Sequence, residues 1–324
     1  MRAMKMTANR LCRCLGMAAF ISAAAHAAGY PAKSVRVIVG LAPGGGTDIS
    51  ARILAQKLSD TLGQSFVVDN RPGAGSMLGT ELAARATPDG YTLNFVSPEF
   101  TVNPSLQRNM PYDTVRDFAP IVRVVQSQYF LSMRNPAPVN SVSELIALAK
   151  AKPGQLNYAS SGNGSANHLA GELFKTMAGV SMVHVPYKGA APATTALLAG
   201  EVQVMFSSTT SIIQHVKAGR IKALATTGPH RTPIAPEIPT VAESGLPGFV
   251  VTGWFGLLAP ALTPKSIIDR LNAEVNRVLP GLRERYGEHG TEPVGGTPQE
   301  FAAFIKAEIA KWAKVVQASG AKPD

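Results

Sequence analysis

The sequence offers few of the groups on which covalent or metal chemistry depends. Its two cysteines, Cys12 and Cys14, precede a short apolar run near the amino terminus, so neither follows that run as a lipoprotein cysteine would. If that end is removed, no disulfide, thiolate nucleophile or cysteine metal ligand remains. Aromatic residues make up 6% of the chain and do not cluster with its scattered Lys and Arg, which argues against a nucleic-acid surface despite a net charge of +10. The six histidines form no His-x-x-x-His or His-Glu pair, so metal-ligand spacing is absent. There is no Gly-x-Ser-x-Gly elbow, and no apolar run after residue 28 is long enough to cross a bilayer. Gly44 to Asp48 lacks the Gly-Lys-Ser/Thr ending of a phosphate-binding loop. Gly73-x-Gly75-x-x-x-Gly79 is one residue too long for a dinucleotide fingerprint. Neither a metal nor a cofactor is expected.

The amino terminus is a signal peptide in outline. Arg2, Lys5, Arg10 and Arg13 give a basic start, Leu15 to Ala25 an apolar stretch, and Ala25-His26-Ala27 a small-x-small cleavage pattern. Removing residues 1–27, with four basic residues and no acidic ones, would lower the charge from +10 to +6. A cysteine-free exported chain suits a bacterial periplasm, where a large core supplies stability. The remaining charge favours small anionic solutes. Residues 28–324 suit two domains, expected at 28–128 with 250–324 and at 129–249.

Strand and helix patterns alternate along the chain, which predicts α/β lobes with mostly parallel sheets covered by helices. Val35 to Val39 reads as a buried strand, and Thr47-Asp48 as the N-cap of a helix over Ile49 to Leu62 that stops at Gly63. Strands are predicted at Phe66 to Val68 and Tyr91 to Val96, with a helix from Leu78 to Ala86 between them. Two close strands, Ile121 to Gln126 and Tyr129 to Met133, mark a crossing between domains. Ser141-x-x-Glu144 and Thr240-x-x-Glu243 read as capping boxes that open helices. Strands at Leu156 to Ala159, Met182 to Val185, Val202 to Phe206 and Ile221 to Thr226 alternate with helices. A proline-rich connector follows, then a returning strand, Gly253 to Leu258. Helices at Lys265 to Leu279 and Pro298 to Ala318 close the chain, with Phe301, Phe304 and Trp312 assigned to the core.

Four polar loops follow predicted strands. Pro43-Gly44-Gly45-Gly46-Thr47-Asp48 would aim bare amides and a helix dipole at one point, which an anion can approach where no Cβ intervenes. Ser160-Ser161-Gly162-Asn163-Gly164-Ser165 offers hydroxyls and amides ahead of His168. Tyr187-Lys188-Gly189-Ala190-Ala191-Pro192 and the hydroxyl-rich Ser207-Ser208-Thr209-Thr210 complete the set, and Ser97 ends another strand. Four such loops on one side of parallel strands describe a polar cleft. Tyr187 and Trp254 are aromatics that would stack on a ligand or pack at a hinge. Ser165 and His168 allow an alternative, a periplasmic serine hydrolase.

In these loops the chain resembles the Bug family, the extracytoplasmic substrate-binding receptors of tripartite tricarboxylate transport. The likeness is carried by Pro43 to Asp48, Asn70-Arg71-Pro72-Gly73-Ala74-Gly75, Pro88-Asp89-Gly90-Tyr91 and Ser161 to Ser165. Val185-Pro186-Tyr187-Lys188-Gly189, Pro239-Thr240-Val241-Ala242-Glu243 and Trp254-Phe255-Gly256 extend it over the chain from Tyr30 to Val316. It implies a two-lobed type II periplasmic binding protein fold and reversible capture of a small carboxylate without chemistry. One carboxylate would meet the Pro43 to Asp48 loop, and the Ser160 to Ser165 and Tyr187 to Pro192 loops would contribute from the other lobe. A monomer is expected, with membrane permease subunits or a sensor as partner. Leu41 stands where an aromatic is common, Met77 where an Asn often follows the glycines, and Ser207 where an acid is frequent. The last departure argues against a ligand ammonium and for a non-amino carboxylate.

Overall fold

In the computed structural model, residues 29–187 and 189–319 are described. The expected signal peptide and Lys188 lie outside the described residues. The chain opens with β1 (Val35–Val39), α1 (Gly46–Leu62), β2 (Phe66–Asn70), α2 (Met77–Ala84), β3 (Thr92–Val96) and α3 (Glu99–Leu106). Strand β1 pairs in parallel with both β2 and β3. Helix α3 was not anticipated, because Pro98 before it and Pro104 within it read as breakers.

The two strands expected near the middle are one, β4 (Phe118–Arg134), of 17 residues. Its first part pairs antiparallel with β9 (Thr252–Pro260) and β10 (Thr291–Gly295). Its second part pairs antiparallel with β7 (Val204–Ser208) and β8 (Ile221–Thr226). Register shifts near Pro120 and Arg123 bend it, as expected where a proline removes a ladder donor. Two donors at the polar break in its pattern find partners far along the chain. Gln128 Nε2 donates to the His230 carbonyl at 2.9 Å, and the Tyr129 amide donates to Thr227 Oγ1 at 2.9 Å.

Between the two visits to the first sheet lie α4 (Val142–Ala151), β5 (Asn157–Ser160), α5 (Ala166–Ala178), β6 (Val183–Pro186), α6 (Ala190–Ala199), β7, α7 (Thr209–Lys217) and β8. Strand β5 is parallel to β6 and β7. After β9 come α8 (Lys265–Val278), a short 3-10 turn, α9 (Arg283–Gly287), β10 and α10 (Pro298–Ser319). The strand order is β2-β1-β3-β9-β4-β7-β5-β6, with β8 and β10 also on β4. Strand β10 was missed because Glu292-Pro293-Val294-Gly295 carries poor strand formers. They are tolerated because it pairs with β4 alone.

Alternation along the strands divides the core. Val37 and Val39 pack with Leu54, Leu58 and Leu271 on one face, while Ile38 packs with Phe100, Trp254 and Phe301 on the other. In the second sheet Tyr158 and Phe206 face Phe174 and Phe249, whereas Ala159 and Met205 face Leu197 and Ile212. Helix α10 serves both sheets: Phe301 and Ile305 belong to the first core, Trp312, Val315 and Val316 to the second. Trp254 is fully buried, edge-on to Phe301 at 5.7 Å between centroids.

One expected helix does not form. Thr240 Oγ1 accepts the Glu243 amide at 3.0 Å and Glu243 Oε2 accepts the Thr240 amide at 2.8 Å, so the capping box closes. Gly245, at φ +117°, and Pro247 then stop the turn from propagating.

Candidate functional site

The loops after β1, β2 and β3 share one end of the first sheet, and those after β5 and β6 share one end of the second. Helix α3 joins the two ends. Its Asn103 Nδ2 donates to the Gly75 carbonyl at 2.9 Å, and its Leu106 side chain sits against Gly164, where a Cβ would collide. The two first-sheet loops also touch. A Cβ on Gly40 would lie 2.7 Å from the Ser76 carbonyl oxygen, and one on Gly79 would lie 2.8 Å from Gly40 Cα.

Thr47 and Asp48 are not the N-cap of α1. Gly45 is, with φ −81° and ψ 168°, and both expected capping residues lie buried inside the first turn. From there Asp48 turns back: its Oδ2 accepts the Gly44 amide at 2.9 Å, and Arg52 Nε lies 3.0 Å from both carboxylate oxygens. Arg52 also donates to Asn70 Oδ1 at 2.9 Å, and Asn70 Nδ2 donates to the Leu41 carbonyl at 3.0 Å. Burial pulls the Asp48 pKa upward, but hydrogen bonds from Arg52 and Gly44 and the Arg52 charge outweigh it, so the net shift is downward. Gly44 is at φ +82°, a conformation that glycine adopts cheaply. Pro43, Gly44 and Gly45 are exposed, Gly46 is half-buried, and the amides of Gly45 and Gly46 have no described acceptor. The amides without a described acceptor therefore begin at Gly45, because the amide of Gly44 is already taken by Asp48.

Ser97 is buried, and its hydroxyl donates to Glu99 Oε2 at 2.5 Å. In the second sheet Ser160 ends β5, with Oγ 2.6 Å from His184 Nε2 and donating to the Gly162 carbonyl at 3.0 Å. Ser161 Oγ donates to Asn167 Oδ1 at 2.9 Å. Gly162 and Gly164 are at φ +135° and +71° and turn the loop into α5, which Ser165 caps by accepting the His168 amide at 3.4 Å. The Gly189 amide donates to the Ser161 carbonyl at 3.2 Å and the Tyr187 amide to the Ser160 carbonyl at 3.0 Å, tying the two loops together. Helix α6 starts at Ala190, so Ala190 and Pro192 lie in its first turn.

Beneath these loops is a buried polar cluster. Tyr158 donates to Glu172 Oε1 at 2.5 Å, and Lys175 Nζ reaches the same oxygen at 2.7 Å. The rings of His168 and His184 stack on one another. Burial, followed by the charges of His168 and Lys175, lowers the His184 pKa to about 3.

The structure does not support two expectations. Ser207 is not in a loop: it is a fully buried residue of β7 opposite Phe130, and its hydroxyl has no described partner. Helix α7 begins at Thr209 directly after the strand, because the Thr209 hydroxyl is turned inward to the Gln128 carbonyl at 3.0 Å. Ser165 and His168 do not form a nucleophile and base. Ser165 Oγ donates to the Gly162 carbonyl at 2.6 Å, while His168 Nδ1 accepts the Gly164 amide at 3.0 Å. Arg52, Asn70, Asn103, Leu106 and His184 shape these loops although the sequence reading had not placed them at the site. Of these, Asn70 opens the Asn70-Arg71-Pro72-Gly73-Ala74-Gly75 motif, which is its signal in the sequence.

A pair of α/β sheets joined by a shared strand, with strand-to-helix loops gathered at their ends, defines a solute-binding protein fold. Residues 50–321 match the tripartite tricarboxylate transporter family receptor, TctC, and the chain belongs to that family. Protein BugT of Bordetella pertussis is 38% identical over 324 residues, covering 98% of this chain and 99% of BugT. Rpa4515 of R. palustris, solved with adipate, is 38% identical with a TM-score of 0.83, over 91% of this chain and 100% of that one. MatC of Rhodopseudomonas palustris, solved with malate, is 32% identical with a TM-score of 0.78, over 89% of this chain and 100% of that one.

Proposed function

We propose that the protein captures a small carboxylate-bearing solute in the periplasm and releases it unchanged to membrane permease subunits. One lobe would comprise residues 28–128 with 250–324, the other 129–249. The solute would be held between the start of α1 and the loops after β5 and β6. The observation that carries this reading is the exposed Gly44-Gly45 turn, whose amides at Gly45, Gly46 and Thr47 open a helix while Arg52 neutralises the Asp48 carboxylate behind them. The adipate and malate of the two solved relatives fit that chemistry. A hydrogen bond to a charged group contributes roughly 1.5–3 kcal/mol, so three of them with some apolar burial reach the roughly 8 kcal/mol of micromolar binding.

The test is Gly45→Val in the mature chain. The backbone at Gly45 is extended, and a Cβ there meets nothing closer than the Ala42 carbonyl oxygen at 3.8 Å, so the variant should fold. A thermal-shift screen of mono-, di- and tricarboxylates on the wild type should find a ligand, since one at a hundred times its Kd adds about 2.7 kcal/mol. Calorimetry should then show at least a tenfold loss in the variant. Equal affinity in the two proteins would overturn the reading.

A further inference from the structure

A cavity of about 350 Å3 opens on the α10 side of the first sheet, between α10 and the edge strand β10. None of its lining residues belongs to the strand-to-helix loops described above. Arg123 of β4 reaches into it, with its guanidinium carbon 4.2 Å from the ring centroid of Phe304. The ring occupies a face of the guanidinium and leaves its in-plane N–H fork available. No described residue gives the Arg123 guanidinium a hydrogen bond or an ion pair.

The neighbouring carboxylates are otherwise engaged. Glu308, the acid whose charge Arg123 senses, accepts from Lys311 Nζ at 2.5 Å and from Trp312 Nε1 at 2.9 Å. Glu300, in the cavity wall, accepts the Thr297 amide at 2.7 Å and its hydroxyl at 3.0 Å through Oε2. A half-buried cation thus faces a cavity whose wall carboxylate, Glu300, is bonded to Thr297 rather than to the guanidinium. Part of the wall is fixed backbone. Gly296 donates to Asn276 Oδ1 at 2.9 Å, and its carbonyl accepts from Asn272 and Asn276 at 2.8 and 3.0 Å. Gly296 is at φ +101°, and a Cβ there would lie 2.8 Å from Glu300 Oε2, so glycine keeps this wall low.

We propose that this cavity is a second ligand site, separate from the interlobe loops, for a small carboxylate monoanion with a flat apolar body. The carboxylate would sit on the Arg123 fork, whose planar donors match two oxygens, and the body would lie along Phe301 and Phe304. The Glu300 carboxylate in the wall selects against a second negative charge, so dianions bind less well than monoanions here.

The test uses benzoate and phthalate, read by 15N NMR on the labelled mature chain. Benzoate should shift the Gly295 and Gly296 amides saturably in the wild type and equally in Gly45→Val, and phthalate should bind there more weakly. Arg123→Met should weaken benzoate at least tenfold, and Arg123→Lys, which keeps the charge without the fork, should weaken it by an intermediate factor. Both variants should keep the wild-type amide spectrum away from the cavity, because no partner of Arg123 is left unsatisfied. The proposal fails if Gly295 and Gly296 do not respond, if both Arg123 variants bind as the wild type does, or if the shifts appear only at Gly44 to Thr47.

Discussion

The imidazole rings of His168 and His184 lie face to face, 3.8 Å between centroids and 9° from parallel. Two protonated rings so close would repel each other, and Lys175 adds a further positive charge beside them. The pair links a helix to the end of β5, where His184 Nε2 meets Ser160 Oγ. Its protonation state therefore bears on the shape of the Ser160 to Ser165 loop.

The His184 pKa is lowered to about 3, by burial first and then by the electrostatic influence of His168 and Lys175. An unfolded histidine titrates near 6.5, so between these values the unfolded chain binds a proton that the native chain refuses. Stability from this group is complete above about 6.5 and declines as pH falls toward 3. Urea unfolding between pH 4 and 7 should show a steeper pH dependence in the wild type than in His184→Phe. Parallel curves would contradict the assignment.

Asp48→Ala should be less stable than Asp48→Asn. Alanine strands the Gly44 amide and the Arg52 guanidinium, whereas asparagine can still accept from Gly44. Losing a hydrogen bond of this kind costs about 1 kcal/mol. Because the native Asp48 pKa is depressed, its contribution is present above the ordinary carboxylate range and is lost as pH falls through the lowered value. In thermal melts the gap between wild type and Asp48→Asn should narrow as pH falls from 7 toward the lowered Asp48 value, while the gap between Asp48→Asn and Asp48→Ala should persist at every pH.

Gly164→Ala should destabilise through two causes, a left-handed backbone at φ +71° and the Leu106 side chain in the way. Leu106→Ala removes the second cause. A double-mutant cycle by urea denaturation should give a total cost smaller than the sum of the singles by about 0.5–3 kcal/mol. Simple additivity would mean that α3 and the second-sheet loop are not in contact.

Gly171→Ala tests packing against helix propensity. Alanine in a helix gains about 1 kcal/mol over glycine. A Cβ here, however, runs into the ring of Tyr158, which is fully buried and held by its hydrogen bond to Glu172. Overpacking of that kind costs about 1–3 kcal/mol. The urea midpoint should fall, and should recover in part when Tyr158 is also replaced by Leu.

Much of the fold was legible because its strands are short apolar runs bounded by turn residues: Val35 to Val39 reads as a buried strand, and its Val37 and Ile38 lie in opposite cores. What stayed hidden involved residues satisfied by distant partners. Ser127-Gln128 looks like a break in β4 until the His230 carbonyl is found waiting for Gln128. Ser207-Ser208-Thr209-Thr210 looks like a loop because hydroxyls are ambiguous, and Thr209 spends its own on the Gln128 carbonyl. In the candidate site the glycine and serine loops were readable. Asp48 reads as an end cap, but it closes the turn from one helical turn inside, four residues beyond Gly44. The sequence gap between Leu106 and Gly164 put the contact that brings the two sheet ends together out of reach.

Helix α10, of 22 residues, is a rod about 33 Å long, glued to one sheet by Phe301 and Ile305 and to the other by Trp312, Val315 and Val316. Any movement of one sheet relative to the other must therefore loosen one of these two grips or be taken up by the helix between Ile305 and Trp312, so α10 acts as a splint across the pair.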